Sequence, residues 1–201
     1  MSFKAIIFDL GGVLVRRDLQ RILQPIARQT HKPIQQLTHA VEASMLVERF
    51  ELGQLQPRRF HAQLSAELGL AWSYDEFVSV WNSILSENTD ATWLLERLRT
   101  RYRLLVLSNT NILHDEYIRR TWPVFHYIHH WITSYQTGYR KPELQIYQLA
   151  LREADIPPES TVYVDDIKEC VMAARQLGLT AVHFTQGLRL EEELRSVGLH
   201  V

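Results

Sequence analysis

Carboxylate, hydroxyl and amide side chains follow three apolar, strand-like stretches of the sequence, and one lysine stands in a loop between the second stretch and the third. These residues are Asp9, Ser108, Asn109, Lys141, Asp165 and Asp166. Carboxylates that face one another repel and have raised pKa values unless a cation lies between them, and an all-oxygen site with few ligands suits Mg²⁺. A hydroxyl, backbone N–H groups and a lysine can hold a phosphate while one carboxylate attacks its phosphorus. The set therefore favours phosphoryl transfer, with Asp9 as the nucleophile that becomes an aspartyl-phosphate.

Two glycines follow the first carboxylate, in the order Asp9, Leu10, Gly11 and Gly12. Glycine allows a positive φ or a close approach of the backbone to a ligand, so main-chain N–H groups can cradle an anion beside the carboxylate. Each polar residue also has a simpler explanation on its own. Asp9 could open a turn, the polar residues after position 107 could be an N-cap cluster, Lys141 could be solvated, and the paired aspartates could form a turn and a helix cap. Their joint occurrence favours one shared site.

The elements that must position these residues alternate between strands and helices. Strands are predicted at 3–8, 103–107, 127–133, 161–164 and 181–184, with amphipathic helical segments between the later ones. Short strands that alternate with helices pair in parallel through right-handed crossovers, which gives a doubly wound α/β sheet with helices on both faces. Because parallel strands end at the same edge of the sheet, their terminal polar residues are expected to converge there.

The segment from residue 15 to residue 88 has a different pattern. Its apolar residues recur at helical spacing, Ser73 and Glu76 resemble a capping box, and no strand is predicted within it. We expect four or so amphipathic helices that pack on one another as an insertion. The predicted domains are therefore a core of residues 1–14 and 89–201 and a helical cap of residues 15–88.

Size and composition limit the function classes. The chain has 201 residues and a net charge of −1, which argues against non-specific binding to nucleic acid or membrane. One cysteine, Cys170, excludes an intramolecular disulfide, and neither a signal segment nor a membrane span is recognisable. We expect a cytoplasmic protein, monomeric or homodimeric, whose partner is a small phosphorylated molecule rather than nucleic acid or membrane.

Four short motifs resemble those of the haloacid dehalogenase-like hydrolase superfamily. They are Phe-Asp-Leu-Gly-Gly-Val-Leu at 8–14, Leu-Ser-Asn-Thr at 107–110, Arg-Lys-Pro at 140–142 and Val-Asp-Asp at 164–166. The chain is most similar to the branch with a helical cap after the first motif, and to bacterial glucose-1-phosphate phosphatase-type members. The resemblance implies a Rossmann-like core with a mobile cap. It also implies Mg²⁺-dependent hydrolysis of a small-molecule phosphate monoester, with sugar phosphates among the candidates.

The resemblance further implies roles for individual residues. Asp9 would be the nucleophile and a metal ligand, and Lys141 would pair with the phosphate and with Asp9. The other metal ligands would be Asp166 and the Gly11 carbonyl, with Asp165 beside them as a further candidate. The phosphate would be bound by the backbone of Leu10 and Gly11, by Ser108, by the Asn109 amide and by Lys141.

Two positions depart from the family's pattern. Where an acid/base aspartate commonly stands two residues after the nucleophile, this sequence has Gly11, and general acid–base catalysis typically contributes about 10²–10⁴-fold. Glu51 of the cap is a candidate replacement. Cys170 stands where an asparagine usually follows the paired aspartates, and a thiol is a poor ligand for Mg²⁺.

Three other interpretations of the same residues stay open at this point. A catalytically weakened member that serves as a binding module would explain Gly11 and Cys170. A metal-independent 2-haloacid dehalogenase also uses a lone aspartate nucleophile, although it would not need Asp165 and Asp166. A phosphomutase would require the acid/base chemistry that Gly11 lacks.

Two arginines, Arg16 and Arg17, stand where the chain leaves the first motif. They could meet an anionic substrate. A solvated helix start is the preferred interpretation of this pair.

Overall fold

The structure is a computed structural model that describes residues 3–185 and 187–201. Its strands, in chain order, are β1 (Ala5–Phe8), β2 (Val15–Arg17), β3 (Leu85–Glu87), β4 (Arg103–Ser108), β5 (His130–Thr133), β6 (Thr161–Asp165) and β7 (Thr180–His183). Its α-helices are α1 (Gln20–Thr30), α2 (Ile34–Ala43), α3 (Met45–Glu51), α4 (Pro57–Leu68), α5 (Tyr74–Asn82), α6 (Thr89–Thr92), α7 (Leu95–Leu98), α8 (Ile112–Thr121), α9 (Ser134–Thr137), α10 (Leu144–Ala154), α11 (Lys168–Gln176) and α12 (Leu190–Ser196). Among these helices of the described ranges, none is long and apolar enough to cross a membrane.

A parallel sheet of five strands forms the centre of the protein, in the order β5, β4, β1, β6, β7. β1 lies in the middle, where Ile7 is opposite Leu105 of β4 and Tyr163 of β6. The predicted doubly wound, Rossmann-like α/β fold is thereby confirmed.

The residues of β1 explain its central position. Ile6 and Phe8 belong to the apolar cluster that continues into the helices of the inserted segment, whereas Ala5 and Ile7 belong to the cluster formed with α10 and α11. All four side chains are buried. Because successive strand residues alternate between the two faces, a strand that is apolar at every position must be covered on both sides.

Helices α1 to α5 lie between β2 and β3, which pair antiparallel. The expectation that no strand lies within residues 15–88 is therefore wrong at both ends of that segment. Each of the two strands has three residues, too few for an alternating pattern to be recognised in the sequence. Arg16 and Arg17 accordingly belong to a strand and not to a helix start, whereas the capping box predicted at Ser73 and Glu76 does begin α5.

The inserted helices have an aromatic core. Phe60 stacks on Phe50 with the ring centroids 4.1 Å apart, and it meets Phe77 and Trp81 in edge-on contacts. These buried rings are continuous with the apolar cluster on one face of the sheet. The division of the chain into a core domain and a cap domain stays a prediction.

Candidate active site

Three carboxylates meet where the central strands end. Asp9 follows β1 directly, Asp165 is the last residue of β6, and Asp166 comes next. Because β1 and β6 are parallel neighbours, their ends lie side by side, and each of the three side chains places an oxygen within 4.8 Å of the others. The structure thus brings these three residues together.

Lys141 enters this cluster from the loop before α10. Its side chain is 2% exposed, and its Nζ lies 2.8 Å from Asp9 Oδ1 and 2.6 Å from Asp165 Oδ2. Burial by itself lowers the pKa of the Lys141 ammonium, but the two carboxylates together outweigh burial and raise that pKa above its usual range. Lys141 is therefore a charged group inside the site and not a solvated surface lysine.

Asp165 is fully buried and has protein partners on both oxygens. Its Oδ2 accepts hydrogen bonds from Lys141 and from the hydroxyl of Tyr163, and its Oδ1 accepts one of 2.7 Å from the N–H of Ile167. This carboxylate is placed to hold Lys141. Metal ligation by Asp165 stays a prediction that these contacts disfavour.

The donor set fits a divalent cation. Three carboxylates and one lysine leave two negative charges in a largely buried site. Burial raises the pKa of Asp9, an effect that Lys141 opposes and Asp165 reinforces, and burial likewise raises the pKa of Asp166. A cation would favour the charged carboxylates, and carboxylate and carbonyl oxygens are the ligands that Mg²⁺ prefers. Asp9, Asp166 and the carbonyl of Gly11 are the groups that could hold it.

The two glycines after Asp9 differ in what requires them. Gly12 has a φ of 80°, and a Cβ added there would lie 2.0 Å from Oδ2 of Asp166. Gly11 lies outside the left-handed region, and a Cβ added there would lie 3.0 Å from Cδ of Arg17. Gly12 is therefore needed to admit the Asp166 carboxylate, whereas the room beside Gly11 is taken by Arg17.

The predicted phosphate-binding residues after β4 lie at the same edge of the sheet. Ser108 is buried, and the side-chain amide of Asn109 accepts a 2.8 Å hydrogen bond from the N–H of Lys141 and donates one of 3.0 Å to its carbonyl. The Asn109 side chain thus positions Lys141, which leaves the main-chain N–H of Asn109 as the candidate phosphate donor. Helix α8 begins at Ile112, and the positive end of its dipole points back toward these residues.

The backbone after β1 was expected to supply further phosphate donors. The N–H of Leu10 donates a 2.7 Å hydrogen bond to Oδ1 of Asp9, so it orients that carboxylate. Gly11 forms an isolated bridge with Val15 and lines a small cavity beside Leu10. Phosphate binding by Leu10 and Gly11 stays a prediction.

Glu51, at the end of α3, reaches this place from the inserted helices. It lines a cavity of about 30 Å³ together with Gly11, Ser108 and Asn109. Burial raises the pKa of the Glu51 carboxyl, and the nearby guanidinium of Arg17 opposes that rise. A carboxyl with a raised pKa can exchange a proton closer to neutral pH. The structure therefore places the candidate cap residue beside the predicted phosphate site.

Two backbone contacts set the position of Glu51. The hydroxyl of Ser134 donates a 2.6 Å hydrogen bond to the Glu51 carbonyl. Gly53 has a φ of 70° and lies so close to α9 that an added Cβ would be 2.1 Å from the carbonyl oxygen of Tyr135. Because both contacts involve the main chain of the inserted segment, the end of α3 is held against α9 independently of the Glu51 side chain.

Sequence reasoning missed the contribution of Tyr163 and undervalued that of Arg17. Tyr163 reads as an ordinary core residue of β6, and no local signal distinguishes the hydroxyl that donates to Asp165. The nearness of Arg17 to the first motif was a sequence signal for a role in the site, but the direction in which its side chain points depends on the pairing of β2 with β3. Cys170 is a buried residue of α11 that belongs to the apolar cluster between this helix and the sheet, and burial raises the pKa of its thiol.

A Rossmann-like sheet with acidic side chains and a buried lysine at the carboxyl ends of its strands is the arrangement of an α/β enzyme that handles phosphate. The family model for haloacid dehalogenase-like hydrolases matches residues 3–178, and the chain belongs to this hydrolase family. It is 30% identical to a sesquiterpene phosphatase of Aspergillus oryzae, over 98% of this chain and 97% of that protein. It is 25% identical to a D-ribitol-5-phosphate phosphatase of Bacteroides thetaiotaomicron, over 95% of this chain and 96% of that protein.

A solved structure shows the same likeness in three dimensions. It is that of a HAD family enzyme from Bacteroides thetaiotaomicron in complex with magnesium and inorganic phosphate. The TM-score is 0.86 at 26% identity, and the match covers 95% of this chain and 98% of that chain.

Proposed function

We propose that this protein is a Mg²⁺-dependent phosphatase that hydrolyses a small-molecule phosphate monoester through an aspartyl-phosphate on Asp9. The observation that carries the proposal is the buried Lys141 ammonium between Asp9 and Asp165, with Asp166 close by. A carboxylate held by a charged lysine beside a cation-binding cluster can approach a phosphate dianion without prohibitive repulsion. The phosphatase relatives and the magnesium and phosphate complex of the structural neighbour support this chemistry.

The reaction has two steps on the same side chain. An oxygen of Asp9 attacks phosphorus, the bond from phosphorus to the leaving oxygen breaks, and the leaving oxygen takes a proton from solvent to depart as an alcohol. Lys141, the Ser108 hydroxyl and the N–H of Asn109 hold the phosphoryl oxygens during this displacement. Water then attacks the aspartyl-phosphate, which releases inorganic phosphate and restores the Asp9 carboxylate.

Asp9, Asp166 and the carbonyl of Gly11 would hold the Mg²⁺ ion. When bound, the ion supplies positive charge that neutralises the phosphate and fixes its orientation. Asp165 keeps Lys141 in place, so the lysine charge stays beside the nucleophile whether or not the ion is present.

We assign Glu51 as the general base that accepts the proton of the attacking water. It lines the same cavity as Gly11 and Ser108, and burial raises the pKa of its carboxyl. In this role its carboxylate accepts the proton as water opens the aspartyl-phosphate.

The rival functions differ in what they require of the site. A metal-independent dehalogenase has no use for two surplus negative charges, so the cluster of Asp9, Asp165 and Asp166 disfavours it. A binding module is favoured by one observation, the missing side chain at Gly11. Such a protein would bind Mg²⁺ and phosphate without turnover.

The substrate is not assigned by likeness. The two relatives are, by their names, phosphatases for a sesquiterpene and for D-ribitol 5-phosphate, and the carbon skeletons of a sesquiterpene and of ribitol have little in common. A sugar phosphate therefore stays a prediction, as do a cytoplasmic location and a monomeric or homodimeric state.

Hydrolysis of p-nitrophenyl phosphate tests the proposed function. We expect activity with Mg²⁺, loss of activity with EDTA, and a decrease of at least about 10³-fold in Asp9→Asn, as for the loss of other nucleophiles. Asp75→Asn makes the same chemical change at an exposed position of α5 and should retain activity. Activity that survives in Asp9→Asn would contradict the proposal, and binding of Mg²⁺ and phosphate without turnover would favour the binding module.

A further inference from the structure

The side chain of Arg17 occupies the space beside Gly11, two residues after the nucleophile candidate Asp9. The backbone of Gly11 lies outside the left-handed region, so a residue with a side chain could stand there without backbone strain. The nearest atoms to an added Cβ all belong to Arg17, with Cδ at 3.0 Å and Nη1 at 3.7 Å. The side chain at the position two residues after Asp9 therefore supplies no proton donor, and the Arg17 side chain, with its guanidinium close behind Cδ, fills the room.

Arg17 faces two spaces at once. It lines the cavity of about 30 Å³ beside Gly11, and it also lines an open groove of about 890 Å³ beside Asp166. Within residues 3–185 and 187–201 it makes no ion pair, whereas its neighbour Arg16 pairs with Asp90. The charge of Arg17 is therefore available to a ligand that extends from the small cavity into the groove.

An arginine cannot act as the acid that protonates a leaving group, because its guanidinium does not give up a proton in proteins. An alkoxide needs such a proton, since an alcohol, like water, holds its proton so tightly that its anion is a poor leaving group. A phosphate does not need it, since the second pKa of a phosphate monoester is about 6. A departing phosphate is instead an anion, which a guanidinium binds well through paired hydrogen bonds.

We propose that Arg17 binds the departing phosphate of a phosphoanhydride, and that the preferred substrates are diphosphate esters whose terminal phosphoryl group is transferred to Asp9. This inference rests on the proposed function and extends it from an ester to an anhydride. The remainder of the substrate lies in the open groove, on the far side of Arg17 from the phosphoryl group.

The bonds and charges balance without an acid. A carboxylate oxygen of Asp9 forms a bond to the terminal phosphorus, and the bond from that phosphorus to the bridging oxygen breaks. The electron pair stays on the bridging oxygen, which leaves as part of a phosphate monoester beside Arg17. Water then cleaves the aspartyl-phosphate to inorganic phosphate, and the proton of the water passes to Glu51 and from there to solvent.

A matched pair of substrates distinguishes a preference for phosphate esters from a preference for phosphoanhydrides. Butyl phosphate and butyl diphosphate carry the same organic group, and ADP and inorganic diphosphate test whether the organic group matters. We expect a kcat/KM at least about tenfold higher for butyl diphosphate than for butyl phosphate, because only the ester needs an acid. Butyl phosphate and inorganic phosphate should accumulate in equal amounts from butyl diphosphate.

Variants of the two neighbouring arginines locate the effect. Arg17→Ala should lower kcat/KM for butyl diphosphate about 10- to 100-fold, the loss typical of hydrogen bonds to a charged group. It should lower kcat/KM for p-nitrophenyl phosphate less than kcat/KM for butyl diphosphate, because the p-nitrophenol leaving group carries no phosphate. Arg16→Ala is the matched control, because Arg16 lines the same groove but is paired with Asp90, and it should lower kcat/KM for butyl diphosphate far less than Arg17→Ala does.

Binding of methylenediphosphonate, which resists hydrolysis, gives a readout without turnover. Its affinity should weaken about tenfold in Arg17→Ala and clearly less in Arg16→Ala, and Arg17→Ala should weaken the binding of inorganic phosphate less than that of methylenediphosphonate. Failure of the proposed function would appear as no hydrolysis of p-nitrophenyl phosphate. With that activity intact, the inference would be overturned by equal rates for the two butyl substrates, or by an absence of any effect of Arg17→Ala on the hydrolysis of butyl diphosphate. A Glu51→Gln variant that slowed butyl phosphate alone would also overturn it, because Glu51 would then be the leaving-group acid.

Discussion

Lys141→Met isolates the electrostatics of the site, because it removes one buried charge and keeps most of the side chain's length. The Lys141 Nζ is 2.8 Å from Asp9 and 2.6 Å from Asp165 and is almost completely buried. Removing one partner of a buried ion pair typically costs about 3–5 kcal/mol, because the other charge stays buried without a partner. Two carboxylates lose their partner here, so we expect a loss of about 5 kcal/mol. At about 2–4 °C per kcal/mol for a chain of this size, Tm should fall by roughly 10–20 °C.

Thermal and urea unfolding in EDTA measure this loss. Lys168→Met is the matched control, because Lys168 is the exposed first residue of α11 and its replacement should change stability by less than about 0.5 kcal/mol. The double variant Lys141→Met with Asp165→Asn should recover part of the loss, because it removes one of the two stranded charges. Mg²⁺ should stabilise Lys141→Met more than the parent protein, since a cation would then replace the missing charge.

A small effect would refute this reasoning. If Lys141→Met lowered the free energy of unfolding in EDTA by less than about 1 kcal/mol, the effect would be far below the cost of breaking a buried ion pair. Lys141 would then not be a charged partner of both carboxylates. The absence of any recovery in the double variant would lead to the same conclusion.

Two further predictions concern Gly12 and His114. Gly12→Ala should abolish the Mg²⁺-dependent activity, because its Cβ would displace the Asp166 carboxylate. Gly69→Ala is the control for backbone strain, because Gly69 has the same φ of 80° and an added Cβ there would have no atom within 4 Å. Equal losses of activity in the two variants would contradict this prediction. Burial lowers the pKa of His114 to about 3. Its unfolded value is about 6.5, so stability falls as pH drops below 6.5, by about 2 kcal/mol at pH 5. Urea unfolding should show that the free energy of unfolding decreases between pH 7 and pH 5 by about 2 kcal/mol less in His114→Gln than in the parent protein. Equal decreases in the two proteins would show that His114 is not held neutral.

Much of the site could be recognised from local patterns. Asp9, Ser108 and Asp166 each follow an apolar run, and such runs form buried parallel strands because every position must be covered. Parallel strands end at one edge, so the convergence of these residues follows from the alternation of strands and helices. Lys141 belongs to the same pattern through its place before a helix, and the four motifs give the family.

The remaining features depend on contacts between distant parts of the chain. The pairing of β2 with β3 is too short to leave a periodic signal, yet it directs Arg17 into the room beside Gly11. Glu51 reaches the site because the contacts of Ser134 and Gly53 hold the end of α3 against α9. Asp165 proved to be a partner of Lys141 with both oxygens occupied, which adjacent carboxylates in a sequence do not reveal. Residue type and short-range order thus determine which groups can do chemistry, whereas the packing of the inserted helices on the sheet decides which charge stands beside the nucleophile.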